Sequence, residues 1–219
     1  MDKHFAIAIT RECGAGGSTV GRMLAEDFGI HLYDRKLLQL ASEDSGINEK
    51  VFAQADENTR KSALYMVSRS IWDGKLIPPE SGDFLSDKNL FNYQAKILRG
   101  LLDTESFVCI GRAADFILKD KPNVISVFLD APYEWRIERE MKRQGIDRSH
   151  AIQYIDRFDK YRGSYYVYHT GLKWRDLTNY TMCINTAQVG MEGSAALIEE
   201  TIRLKCGITP ENIYLTENS

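Results

Sequence analysis

Nine residues near the N-terminus, Arg11-Glu12-Cys13-Gly14-Ala15-Gly16-Gly17-Ser18-Thr19, contain the residue types from which a phosphate cradle is built. Glycines let backbone N–H groups approach an anion closely, and a helix starting behind them adds a favourable dipole. Laid over the pattern G-x-x-x-x-G-K-[ST], the run puts Arg11 at the first glycine, Gly16 at the second, Gly17 at the lysine and Ser18 at the hydroxyl. Two anchor positions therefore depart from the pattern. The lysine ordinarily touches the β- and γ-phosphates, which Gly17 cannot do, so a cation must come from Arg11 at the other end of the loop or from an arginine further along the chain. For Arg11 the alternative is a surface salt bridge with Glu12 or another carboxylate. Ser18 and Thr19 are available to a magnesium ion or a phosphate oxygen. The same glycines would also serve a ligand-free strand-to-helix turn; their place directly behind a strand-like run favours phosphate.

A second group of cations lies far down the chain. Arg136, Arg139 and Arg143 fall at i, i+3 and i+7, a spacing that shares one helix face, and Arg157, Lys160 and Arg162 follow on a second helical segment. Planar guanidinium forks suit phosphate because they make paired, charge-assisted hydrogen bonds. Solvated helix charges paired with Glu134, Glu138 and Glu140 are the alternative for any one of them. Asp34 and Arg35 either contact an acceptor or cap and pair on the helix that follows them. The aromatic stretch holding Tyr165, Tyr166, Tyr168 and Trp174 reads as packing in preference to base stacking, and His169 within it is assigned no role.

These residues need a scaffold, and the apolar pattern supplies one. Strand-length apolar runs at 5–10, 31–33, 107–110, 124–129 and 181–184 alternate with amphipathic helical segments, as in an open parallel sheet wrapped by helices. The first run leads into the glycine loop and then into a helix starting near Ser18. A helical insertion is expected at about 37–103, with Ser86 or Asp87 as an N-cap and an exposed, mobile glycine- and proline-rich loop at 73–83. Proline 132 opens the first arginine helix, and Gly145-Ile146-Asp147 turns the chain into the second.

The chain's 219 residues, 43% of them hydrophobic, suffice for one sizeable core, and a formal net charge of -3 offers no global attraction to nucleic acid or anionic membrane. No stretch reaches the about 18 apolar residues of a spanning helix, and the N-terminus has no leader pattern. Cys13, Cys109, Cys183 and Cys206 are scattered without metal-ligand spacing, and Cys109 and Cys183 read as buried thiols, which suits the cytoplasm.

The glycine loop, Leu32-Tyr33-Asp34-Arg35, Ile110-Gly111-Arg112 and the basic region after Asp130 occur in the order expected of a nucleoside monophosphate kinase. Together, over residues 5–203, they resemble the cytidylate kinase-like family. Members typically carry G-P-S-G-A-G-K-G-T at the loop; Gly14-Ala15-Gly16 and Thr19 are retained and the lysine is not. They carry D-G-R-D where this chain has Ile110-Gly111-Arg112-Ala113, with Asp115 three residues beyond the arginine. Asp159-Lys160-Tyr161-Arg162 approximates the D-R-x-R that closes the family's lid motif. The resemblance implies an α/β P-loop fold, three layers around a five-stranded parallel sheet, as one domain over 1–219 with the insertion and an arginine-rich lid at about 136–175. It implies ATP and Mg2+ as cofactors, a nucleotide and a small-molecule acceptor as partners, and leaves a homo-oligomer open. Gly14, Ala15, Gly16, Gly17, Ser18, Thr19, Arg136 and Lys160 would hold the nucleotide, with Ser18 and Thr19 at the metal. Asp34, Arg35, Gly111 and Arg112 would hold the acceptor, and Arg11, Arg139, Arg157 and Arg162 would act in catalysis. A phosphotransferase acting on a nucleoside monophosphate is the leading expectation; a nucleotide-binding protein without turnover and a kinase of a non-nucleotide metabolite are the alternatives.

Overall fold

In the computed structural model, residues 4–34, 36–54 and 73–213 are described. Five strands form one parallel sheet: β1 (Ala6–Arg11), β2 (His31–Tyr33), β3 (Phe107–Ile110), β4 (Val124–Asp130) and β5 (Met182–Asn185), in the order β2-β3-β1-β4-β5. Each lies within a residue or so of its apolar run. The central strands are continuous Val, Ile, Phe and Ala because helices cover both faces. On one face Ile7, Ile9, Val108, Ile110, Val127 and Leu129 pack against α1 (Gly17–Phe28) and α7 (Thr186–Cys206). On the other, Ala6, Ala8, Phe107, Cys109 and Phe128 meet α3 (Asp87–Thr104), α4 (Ala114–Ile117) and the aromatic rings of Tyr165, Tyr166 and Trp174. The alternation of successive side chains across the sheet divides the core in two.

Cys183 departs from the expectation of a buried thiol. It is exposed, since β5 is an edge strand and position 183 faces away from the covered side, whereas Cys109, on an inner strand, is buried.

Between β2 and β3, α2 (Lys36–Ser45) packs on α3 through Leu38, Ala41, Leu90 and Tyr93; residues 55–72 of the expected insertion lie outside the described residues. Ser86 is the N-cap of α3, its hydroxyl accepting from the Asn89 N–H. The segment 73–83 is largely exposed, as expected, but its backbone is held. Asn89 accepts from the Ile77 N–H at 2.8 Å and donates to the Phe84 carbonyl, and Asn92 donates to the Lys75 carbonyl.

Two helices follow β4: α5 (Tyr133–Gln144), which starts one residue after Pro132, and α6 (Arg148–Thr170). Gly145, in the left-handed conformation at φ 66, ends the first, and the Asp147 carboxylate caps the second by accepting from the His150 N–H. Among the described residues, no helix is long and apolar enough to cross a membrane.

Candidate active site

The strand order reverses at β1, with the chain leaving its C-terminal end toward β2 on one side while β4 lies on the other. Ligands of open parallel sheets bind in the crevice at such a point. The glycine loop is built there. The Glu12 N–H continues the β1 ladder by donating to the Leu129 carbonyl at 3.0 Å, and the chain then turns through Gly14 at φ 85 and Gly16 at φ 86. Gly16 is the N-cap of α1 and makes no side-chain cap, so the helix start facing the crevice is uncapped. A side chain at Gly16 would have a left-handed backbone to adopt and would also run into the Met191 thioether, beyond the Gly190 kink in α7.

Behind the loop lies a buried ion-pair network. Arg136, on α5 and 4% exposed, meets the Asp159 carboxylate at 2.6 Å and that of Glu12 at 3.3 Å; Arg175 adds a contact to Glu12 at 2.7 Å. Asp159 also accepts from the Cys13 N–H at 2.6 Å, while Arg136 donates to the Cys13 carbonyl at 3.1 Å. The arginine helices are thereby fastened to residues 12 and 13 of the loop. Burial raises the Glu12 carboxyl, with Arg136 and Arg175 opposing the shift. Arg136 is thus placed behind the loop and not on the cleft wall, its charge engaged by the protein's own carboxylates.

In front of the loop is a cleft of about 640 Å³. Gly14, Gly16, Gly17, Ser18 and Thr19 line it, as do Asp34, Gly111 and Arg112; Ala15 is buried beneath. Arg139 reaches the loop, with Nη1 3.4 Å from the Gly14 carbonyl and Nη2 3.4 Å from Thr19 Oγ1. Arg162 donates to the Arg11 carbonyl at 3.3 Å. Arg143 lines the cleft too, but its guanidinium pairs with Glu140 at 2.5 Å, the helix pairing weighed as its alternative. Arg157 and Lys160 are exposed and outside the cleft lining, Arg157 lying over the Phe158 ring at 5.2 Å. Arg35 lies outside the described residues.

Gly111, Arg112 and Ala113 hold three successive left-handed conformations, φ 77, 61 and 50. For the arginine and alanine this is a strained backbone of the kind concentrated at functional sites. Asp115 does not join them on the cleft wall: it is buried, accepting from the Tyr166 hydroxyl at 2.6 Å and from Thr10 at 3.3 Å, and burial raises its carboxyl to about 6. Burial lowers Arg11 to about 9, with the neighbouring charges of Arg162 and Arg112 acting in the same sense and Asp34 against them. Cations crowded beside a helix start make a site that favours an anion.

Sequence reasoning missed Glu12, Asp159 and Arg175 as a set and gave Met191 no place. The contacts that tie them to residues 12 and 13 span more than a hundred residues, and only the D-x-x-R spacing at Asp159 carried a signal. His169 is buried and stacked on Phe91 at 4.0 Å, and burial lowers its ring to about 3; its Nδ1 has no hydrogen-bond partner among the described residues.

Comparison with known proteins identifies the family. The chain is 26% identical over 190 residues to a cytidylate kinase of Methanopyrus kandleri, covering 86% of this chain and 88% of that one. It is 23% identical over 197 residues to a cytidylate kinase of Pyrococcus horikoshii, covering 90% and 87%. A solved structure of an uncharacterized protein from Eubacterium ventriosum superposes with a TM-score of 0.66 at 28% identity, covering 91% of this chain and 98% of that one. Residues 6–188 match the cytidylate kinase-like family, a span that holds the glycine loop, the left-handed turn at Arg112 and both arginine helices, and the chain belongs to that family.

Proposed function

We propose that this protein is a phosphotransferase that moves the terminal phosphoryl group of magnesium–ATP to a small phosphorylated acceptor, in the first instance a nucleoside monophosphate. The observation that carries the reading is the convergence of Arg11, Arg112, Arg139 and Arg162 on one cleft around the uncapped start of α1. Phosphoryl transfer needs little covalent help from the protein; positioning and neutralising the charge on the moving group supply most of the catalysis. In this reading the loop N–H groups and Arg139 hold the donor phosphates, Arg112 and Asp34 hold the acceptor, and Arg162 stands between them. Magnesium enters with ATP and keeps most of its ligands as phosphate oxygens and water, so it needs only one or two protein oxygens. Among the described residues no cluster of three or more acids, histidines or cysteines could cage a metal, and the hydroxyls of Ser18 and Thr19 on the cleft would fit this lighter requirement.

The segment 136–175 acts in this proposal as a lid hinged on the Arg136–Asp159 pair, and the work is done in the cytoplasm, where nucleotide is plentiful. Gly111 and Ala113 flank Arg112 with no carboxylate on either, which favours an acceptor held through its phosphate more than through its base. The test is ATP consumption with magnesium across nucleoside monophosphates and small phosphorylated alcohols, beside binding to the same compounds. Consumption with one acceptor class supports the reading; binding of ATP and acceptors without consumption would replace it with a non-catalytic nucleotide-binding role.

A further inference from the structure

We propose that Arg11 is the phosphate-loop cation of this protein, installed by an exchange of positions in which Gly17 leaves the space that Arg11 crosses to reach the mouth between β1 and β3. The inference rests on the phosphotransferase reading above and names the residue that supplies its missing charge.

The packing of the loop carries it. A Cβ on Gly17 would stand 2.6 Å from Arg11 Cγ, 3.0 Å from its Cβ and 3.1 Å from its Cδ. The stem of the arginine therefore lies across the first residue of α1 and fills the path a side chain at position 17 would take. Its far end passes close over a second glycine: a Cβ on Gly111 would stand 2.5 Å from Arg11 Nη1. The side chain thus runs from the end of β1, over the helix start, to the end of β3, bordered on both sides by residues whose lack of a Cβ makes the route possible. A lysine at 17 and an arginine at 11 in this conformation exclude one another.

Charge tells what the guanidinium is for. The surface salt bridge with Glu12 is not formed, because the Glu12 carboxylate is taken by Arg136 and Arg175 from behind the loop. Arg162 donates to the Arg11 carbonyl, holding the backbone from which the side chain springs. Around the guanidinium stand Arg162 and Arg112 with Asp34 as the opposing acid, a surplus of cations at the mouth of the crevice. A polyphosphate entering there would relieve their repulsion and accept hydrogen bonds from the fork of Arg11, which is the part a loop lysine plays.

Four proteins decide the matter: wild type, Arg11→Gly, Gly17→Lys and the double variant. Dissociation constants for magnesium–ATP and for pyrophosphate are measured by calorimetry. Loss of a charge-assisted bond in Arg11→Gly should weaken both ligands by about 10- to 100-fold. Gly17→Lys should also weaken them, although it restores the usual lysine, because its Cβ displaces Arg11. The double variant should recover to within about 10-fold of wild type, the signature of two coupled positions. Arg11→Met, which keeps the stem and removes the charge, repeats the first comparison on a loop whose packing is intact, so a folding defect in a glycine variant cannot hide the answer. Arg11→Gly and Arg11→Met both within about 2-fold of wild type, Gly17→Lys binding more tightly than wild type, or a double variant no better than Arg11→Gly would each overturn the exchange. Those results leave the phosphotransferase reading standing if the wild type binds ATP. A wild type that binds neither ATP nor pyrophosphate removes that reading and the proposal with it.

Discussion

Replacing Asp159 with alanine removes three contacts at once, the ion pair to Arg136 at 2.6 Å, the acceptor for the Cys13 N–H, also at 2.6 Å, and a longer contact to the exposed Arg175 at 3.4 Å. Both partners of the pair are buried, their side chains 5% and 10% exposed, so water cannot replace the lost carboxylate. Breaking one side of a buried pair costs about 3–5 kcal/mol, and an N–H left unsatisfied costs about 1–3 kcal/mol. The sum overstates the loss, since Arg136 keeps the Glu12 carboxylate and the carbonyls of Ala131 and Cys13. About 3 kcal/mol is therefore expected, which for a chain of this length lowers Tm by about 6–12 °C. Asp159→Asn retains an acceptor for Cys13 but not the charge and should fall between wild type and alanine. Urea unfolding at constant m-value measures the loss, and ATP affinity measured alongside should fall because residues 12 and 13 set the loop. A loss below about 1 kcal/mol would refute the reasoning, placing the network among pairs whose desolvation cancels their attraction.

Gly16→Val should abolish the rise in Tm that ATP produces in wild type, since the side chain meets both a left-handed backbone and Met191; an undiminished rise would move the phosphate site elsewhere. His169 is held neutral with its folded pKa lowered to about 3 from 6.5, so its contribution to stability is present above 6.5 and is lost as pH falls toward 3. His169→Phe, which keeps a ring against Phe91, should then lose less stability than wild type between pH 7 and pH 4, as about read by denaturant unfolding; parallel curves would contradict the assignment. If α5 and α6 close on nucleotide, hydrogen exchange across 136–175 should slow with a bound ATP analogue, whereas equal exchange with nucleotide verified as bound would show that this segment does not act as a lid.

The fold was legible because the strands of a covered parallel sheet are continuous apolar runs: Ala6 and Phe107 on one face are as buried as Ile7 and Val108 on the other. Cys183 misled because an edge strand carries the same kind of run with one face bare. The loop was legible from Gly14, Gly16 and Gly17, the first two of which hold left-handed conformations that favour glycine. Which arginine faces the cleft was not. Arg136, Arg139 and Arg143 share a helix face in sequence, yet one is held by Asp159, one reaches the loop and one pairs with Glu140. Glu140, three residues before Arg143, was within reach of sequence reasoning, but Asp159 lies on the next helix, and spacing along one helix does not encode a partner on another. Arg11 could be named but not aimed, because its direction depends on the absence of a Cβ at Gly111, a hundred residues away.

Phosphoryl transfer is measured by following the terminal phosphate of labelled ATP in the presence of magnesium and a panel of nucleoside monophosphates. Label should appear in one acceptor with an equal amount of ADP, and Arg139→Ala and Arg162→Ala should each reduce the rate by about 100-fold or more, as removal of groups that stabilise developing charge does. ATP that binds to the wild-type protein while its label stays in ATP, or is released only to water, with every acceptor tried would contradict the phosphotransferase reading.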